Sequence, residues 1–270
     1  MEPSSQEIKL NPHQAPRWLA RLGHLLAGRR QLWWQNPAAG SQPAFSDLGH
    51  AWDCTGATVS RDAISEVRRI DIDGHGYYAK YYRQPGKGWR RWLGRSRIRT
   101  EWENLRLFRE LGLPVPDLVA YGEQWDSDGY RGVMVTAALA NTAGLDALSE
   151  RMQQREWRAA VFAQLARHLA VLHRHGFAHG DLNWRNLLIT RSGEPRLFFI
   201  DCPQGRCWPW PLRSQKIDKD LWMLDKLGRQ KLSRSQRLRF YLLYRGVQRL
   251  DAADKQRLRR IANKPAKRER

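Results

Sequence analysis

His179, Gly180, Asp181 and Asn186, with Asp201 fifteen positions after the last of them, are the residues whose types and spacing suit phosphoryl transfer from a nucleotide. That reaction needs Mg²⁺ held against the phosphates, a carboxylate beside the attacking hydroxyl, and cations that neutralise developing charge. Mg²⁺ prefers hard oxygen ligands and retained waters. Asn186 and Asp201 are therefore the candidate metal ligands. Asp181, five residues before Asn186 on the same loop, is the candidate to accept the proton of a substrate hydroxyl. An isolated H-x-D is common in exposed turns. With Asn at +5 and a hairpin that then ends in Asp, the conjunction is far rarer.

The same chemistry calls for a cation on the phosphates, held by an acid. Lys80 lies in the strand-forming run Tyr77–Tyr82, and Glu101 opens the helix that follows. A Lys gripped by a helix carboxylate reaches the α/β-phosphates as a point charge. On its own, Lys80 reads equally well as a solvated strand lysine. Glu103 competes with Glu101 for the acid's role. Trp102, Leu105 and Phe108 define the buried stripe, and Glu101 sits one turn ahead of Leu105 at its edge, so Glu101 is preferred.

The elements that must carry these residues follow from periodicity and punctuation. Residues 1 to about 45 are a weakly patterned basic leader, with an amphipathic stretch at Trp18–Leu26 and a Pro/Gly/Ser-rich linker at Asn36–Pro43. Ser65–Asp71 and Tyr77–Tyr82 read as a hairpin around Asp73-Gly74-His75-Gly76. A helix is predicted over Arg99–Leu111, stopped by Gly112 and the prolines that follow. Val115–Tyr121 and Arg131–Thr136 are short strands around a polar turn at Asp126–Gly129. From Leu139 onward the pattern turns helical. A long helix over Glu156–His175 precedes short strands at Leu187–Ile189 and Leu197–Ile200, and further helices run over Asp218–Leu227 and Ser235–Gln248. The expected fold class is α+β. It has a small β-rich lobe with one helix (46–138) and a larger helical lobe (139–254), flanked by the leader (1–45) and a basic tail (255–270).

Composition narrows the partners. Lys and Arg number 47 against 27 Asp and Glu, a net charge of +20. Such a charge attracts polyanions of any kind: nucleic acid, an anionic membrane surface or phosphorylated molecules. It concentrates at Lys87–Arg99, where Trp alternates with Arg, and in the tail Lys255–Arg270, with eight basic residues and one acid. No apolar run approaches the roughly 20 residues needed to span a bilayer. The first residues lack the pattern of a secretory signal. Three cysteines are too few for a disulfide framework or a zinc site. No zinc spacing or RNA-binding aromatic signature supports a nucleic-acid partner.

With these residues in hand, the chain resembles the protein-kinase-like sugar kinases of bacterial lipopolysaccharide assembly, the Kdo/heptose kinases of the inner core. The resemblance runs from about residue 60 to 250. It is carried by Tyr77–Tyr81, Thr100-Glu101-Trp102, Gly112–Pro116, His179-Gly180-Asp181 to Asn186, Ile200-Asp201, Lys219-Asp220-Leu221 and Arg237–Phe240. It implies a bilobal protein-kinase-like fold and an ATP- and Mg²⁺-dependent transfer to a heptose or Kdo hydroxyl. By it, Lys80 and Glu101 form the nucleotide-anchoring ion pair, Asp181 is the catalytic carboxylate, and Asn186 and Asp201 hold Mg²⁺. His179 and Asp220 support the catalytic loop, Asp220 bracing it from behind.

Three departures qualify the pattern. No G-x-G-x-x-G precedes Lys80; the region Thr58–Val67 has no glycine, so nucleotide must be gripped by other contacts, such as Ser60 or Arg61. Asp201 is followed by Cys202-Pro203, and Pro fixes φ and removes a donor, which disfavours a flipping activation segment. Gly180 stands where phosphorylation-regulated protein kinases carry Arg, which favours a constitutive small-molecule kinase. Trp208-Pro209-Trp210-Pro211, just after Asp201, either stacks on a sugar or packs on the helical lobe. The partners implied are lipopolysaccharide core or lipid A glycolipid and the anionic inner leaflet, with the protein a monomer, cytoplasmic and peripheral on the inner membrane. The alternatives are a small-molecule phosphotransferase or protein kinase of the same fold, or a non-catalytic basic binding protein.

Overall fold

The computed structural model describes residues 30–37, 42–86, 95–126 and 129–264. The amphipathic stretch Trp18–Leu26, most of the basic insert Lys87–Arg99 and the last six residues of the tail lie outside them.

The N-terminal lobe is a six-stranded antiparallel sheet with one helix on each face. In chain order its elements are β1 (Arg30–Gln35), α1 (Leu48–Asp53), β2 (Ala57–Arg61), β3 (Ser65–Ile72), β4 (His75–Tyr82), α2 (Arg97–Glu110), β5 (Leu118–Asp126) and β6 (Gly129–Ala137). The sheet order is β1-β5-β6-β4-β3-β2. Strand alternation divides β4 between two faces. Tyr77, Ala79 and Tyr81 join Phe45, Leu48 and Ala51 in a core under α1, while Tyr82 joins Trp102, Leu105 and Phe108 of α2 in the main core. Lys80 shares the α2 face with Tyr82. β1 falls inside the stretch read as leader, yet Arg30–Gln35 pairs along β5 and Trp34 meets Trp102 edge-on at 5.6 Å. Its short Trp-rich run shows no alternation over the length that a strand signature needs.

α2 begins at Arg97, two residues before the predicted start, because Ser96 caps it: its Oγ accepts from the Arg99 amide. The helix buries Ile98, Trp102, Leu105 and Phe108. Full burial of a side chain such as Phe108 is worth roughly 1.5–3 kcal/mol. Trp102 also stacks on Tyr121 at 4.5 Å.

The C-terminal lobe contains β7 (Thr142–Gly144), α3 (Arg155–Arg174), β8 (Phe177–Ala178), β9 (Leu187–Thr190), β10 (Leu197–Phe199), β11 (Arg206–Cys207), α4 (Leu212–Lys231), α5 (Arg234–Arg245) and α6 (Ala252–Ala262). The region after Leu139 is thus not helical at once: β7 pairs with β9 and extends the predicted hairpin to three strands, order β10-β9-β7. Three-residue strands carry too little periodicity to be read from sequence. α3 buries Val161, Leu165, Leu169 and Leu172 on one face, as the helical spacing predicts. α6 lies where sequence alone draws the boundary of a basic tail. It is docked by Arg257 on Asp218 at 2.5 Å and by Tyr241 on Asp254 at 2.9 Å. The pattern there is dominated by charge, and its partners are on distant helices.

Candidate active site

Lys80 stands at the centre of the cleft between the lobes. Its Nζ donates to both Glu101 oxygens, at 3.0 and 2.8 Å, and to Asp201 Oδ1 at 2.6 Å. Glu103 is not the partner; it takes Arg95 and, at 2.9 Å, Arg99. Burial would push Lys80 down, but Glu101 and Asp201 outweigh it and hold the ammonium above its ordinary range. Burial likewise raises Glu101, and Lys80 offsets only part of that. At Asp201 burial acts upward too, yet the adjacent Lys80 wins and the carboxyl is held below its usual value. One cation against two carboxylates leaves this trio with a net charge of −1.

The loop bearing Asp181 is fixed from α4. Asp220, fully buried, accepts from the His179 amide at 2.6 Å and the Gly180 amide at 2.8 Å. Lys219 Nζ donates to the Gly180 carbonyl at 2.8 Å. Held on both sides, Gly180 adopts φ +81°, and a Cβ there would sit 3.3 Å from Gln204. The physical reason for glycine at this position is therefore conformational. Asp181 Oδ1 accepts from Asn183 Nδ2 at 2.6 Å, and Asn186 Nδ2 donates to the Asp181 carbonyl at 2.8 Å. Trp184 anchors the short turn between them through Nε1 on the Leu224 carbonyl.

His179 supports the loop through its backbone. Its ring is buried, both nitrogens lack a hydrogen-bond partner, and burial pushes it below its ordinary pKa, so it serves as a neutral packing group near Phe108.

Whether this site suits Mg²⁺ can be judged from its donors. The Asn186 amide nitrogen is spent on Asp181, which leaves its carbonyl oxygen for another partner. Asp201 engages Lys80 through Oδ1 and, at φ +56°, sits in a conformation that Asp adopts more readily than most residues. An amide oxygen, a carboxylate oxygen and an excess negative charge fit a hard divalent cation.

Two residues bearing on the site are missed by the sequence reading. Asn104 of α2, buried, donates through Nδ2 to the Cys202 carbonyl at 2.7 Å and the Gly205 carbonyl at 2.9 Å. It ties the helix that carries Glu101 to the loop that carries Asp201. A polar residue inside an apolar helical stripe was the available signal. Lys219 is the other; nothing in its local sequence tells which way it points.

Of the two alternatives for nucleotide contact, register separates Ser60 from Arg61. Ser60, Val67 and Lys80 are cross-strand neighbours on one face, whereas Arg61 is opposite Glu66 and Tyr81 on the other and pairs with Glu66 at 2.8 Å. After Asp201, the Trp208 ring is met by Arg206 at 3.7 Å and by Lys216 at 4.3 Å, while Trp210 is 85% exposed and so does not pack on the helical lobe.

A strand lysine held by a helix acid, and a carboxylate loop braced from behind between two lobes, define the protein-kinase-like class of folds. Residues 57–244 match the model of the lipopolysaccharide kinase (Kdo/WaaP) family, and the chain belongs to that family. A 3-deoxy-D-manno-octulosonic acid kinase of Xylella fastidiosa is 32% identical over 179 residues, 63% of this chain and 61% of the relative. The alignment therefore spans about three fifths of that relative's length. A probable bifunctional tRNA threonylcarbamoyladenosine biosynthesis protein of Natronomonas pharaonis is 31% identical over 63% of this chain but only 30% of its own length. Among solved structures, WaaP in complex with acyl carrier protein superposes with a TM-score of 0.64, at 24% identity, over 86% of this chain and 98% of that one.

Proposed function

We propose that this chain is an ATP- and Mg²⁺-dependent kinase that phosphorylates a sugar hydroxyl of the lipopolysaccharide inner core, with Kdo as the acceptor sugar and heptose as the alternative. The observation that carries the reading is the meeting of Lys80, Glu101 and Asp201 beside a braced Asp181 loop. Kdo is favoured over heptose because relatives from Xylella and Stenotrophomonas, aligned over half or more of this chain, are Kdo kinases.

In this reading Lys80, aligned by Glu101, contacts the α/β-phosphates. Asp181, oriented by Asn183, receives the acceptor hydroxyl's proton as its oxygen attacks the γ-phosphorus. Asn186 and Asp201 hold Mg²⁺, which when bound neutralises charge on the transferred phosphoryl group. Asp220 and Lys219 keep the Asp181 loop from shifting, which matters because a displacement of about 1 Å at reacting groups costs on the order of 100-fold in rate. Asn104 ties the loop after Asp201 to the helix that carries Glu101.

The acceptor is lipid-linked in this reading, and the protein binds the anionic leaflet peripherally. No helix of the described residues is long and apolar enough to cross a membrane. Support for surface binding comes from residues 202–217, which carry Arg206, Arg213 and Lys216 and no acid, around the exposed Trp210. Indole and cations together suit the headgroup region. The test incubates purified protein with Mg-ATP and lipid A-linked core lacking phosphate, with mass spectrometry of the product. A gain of one phosphate on Kdo is expected. A gain on heptose corrects the acceptor, and no gain on any core sugar refutes the function.

A further inference from the structure

The chain lacks the glycines whose backbone amides elsewhere approach nucleotide phosphates, so some other group must supply donors. Three arginines at alternate positions, Arg95, Arg97 and Arg99, straddle the cap Ser96 at the start of α2. Arg95 and Arg99 both turn to Glu103. Two residues along a helix is about 200° of rotation, so Arg97 faces away from that pair and shares a face with Glu101, four residues on. Side chains on a helix lean toward its N-terminus, which carries Arg97 ahead of Glu101 along the same face.

Arg97 is also unspent. Its Nε is buried with no hydrogen-bond partner, and its guanidinium forms no ion pair among the described residues. Its charge is nevertheless felt at Tyr82, Glu101 and Asp201, the three groups around the Lys80 ammonium. A partly buried guanidinium has five donors in a rigid fork matched to phosphate oxygens.

We propose that Arg97 is a phosphate-binding residue that does the work of the missing glycine-rich loop, donating to the terminal phosphates of the bound nucleoside triphosphate. The proposal rests on the kinase reading above and adds to it the means by which nucleotide is held. Lys80 and Arg97 then approach the phosphates from the strand and from the helix start, and Ser60, in the Lys80 row, lies on the same face of the sheet.

The experiment measures binding of Mg-ATP and of adenosine to the full chain by titration calorimetry, for wild type, Arg97→Ala and Arg97→Lys, with melting temperatures alongside. Arg97→Ala is expected to weaken Mg-ATP at least about tenfold, the loss of one charge-assisted contact, while adenosine affinity stays within twofold. Arg97→Lys, which keeps the charge and loses the fork, is expected to fall between. An unchanged Mg-ATP affinity in Arg97→Ala overturns the proposal. So does an equal loss for ATP and adenosine, which marks a structural role. If Arg97→Ala does not fold, Arg97→Lys decides: a selective loss for ATP supports the proposal and no loss overturns it. Wild type that binds no Mg-ATP refutes the kinase reading itself, and this proposal with it.

Discussion

Replacing Asn104 by Leu removes two hydrogen bonds while keeping the number and branching of side-chain heavy atoms. In the structure Asn104 Nδ2 satisfies the Cys202 and Gly205 carbonyls at 2.7 and 2.9 Å, and both residues are buried. Leu leaves those carbonyls facing an apolar side chain with no water to replace the donor. Each unsatisfied carbonyl costs about 1–3 kcal/mol, and the added apolar contact of Leu returns part of it, so a net loss of about 2–4 kcal/mol follows. At roughly 2–4 °C per kcal/mol for a chain of this size, the melting temperature falls by about 5–15 °C. The freed loop carries Asp201 at its start, so turnover is expected to drop at least about tenfold with little change in KM for nucleotide. Differential scanning fluorimetry, steady-state phosphate transfer and hydrogen exchange over residues 201–206 measure the three consequences. A variant that melts within about 2 °C of wild type refutes the energetic reasoning. One that is destabilised but turns over normally refutes the idea that Asn104 positions Asp201.

Other outcomes can be checked on the same preparation. Asp181→Ala should abolish transfer and leave the melting temperature within a few degrees, since the loop is held by Asp220 and Lys219 rather than by the Asp181 carboxylate; retained transfer would show that another group takes the proton. Glu101→Gln should lower turnover by about 10–100-fold while costing less than the roughly 3–5 kcal/mol typical of a broken buried pair, because Lys80 keeps Asp201; full activity would remove Glu101 from the site. Stability should also fall with pH in two windows. Burial, with Arg167 nearby, lowers His168 from 6.5 to about 4, so the unfolded chain takes up that proton first and stability declines as pH drops from 6.5 to 4. Glu66 is held at about 2 by Arg68 and Arg61, so its contribution is lost only below about 4.5. Burial lowers His179 as well, so melting curves of His168→Phe should slope less steeply than wild type between pH 6.5 and 5 without becoming flat, and an unchanged slope would refute the assignment.

Local sequence determined much of this protein. Turn glycines bound the β3–β4 hairpin, the α3 stripe has helical spacing, and the run from His179 to Asn186 ending in Asp201 carries the proposed chemistry in residue types and short separations. Those features are legible because periodicity, caps and loop motifs act over a few residues. Other features were not. β1 and β7 are stabilised by partner strands rather than by their own few residues, and α6 is held by Asp218 and Tyr241 from other helices. The choice of Glu101 over Glu103 leaned on the edge of an apolar stripe, but the contact with Lys80 spans 21 residues and the one with Asp201 spans 121. Lys219 and Arg97 look like ordinary helix residues in one dimension, and Asn104 shows only as a polar residue inside an apolar stripe. Only packing decides which groups each one faces, because a side chain's direction depends on the rotation of its helix against the rest of the fold.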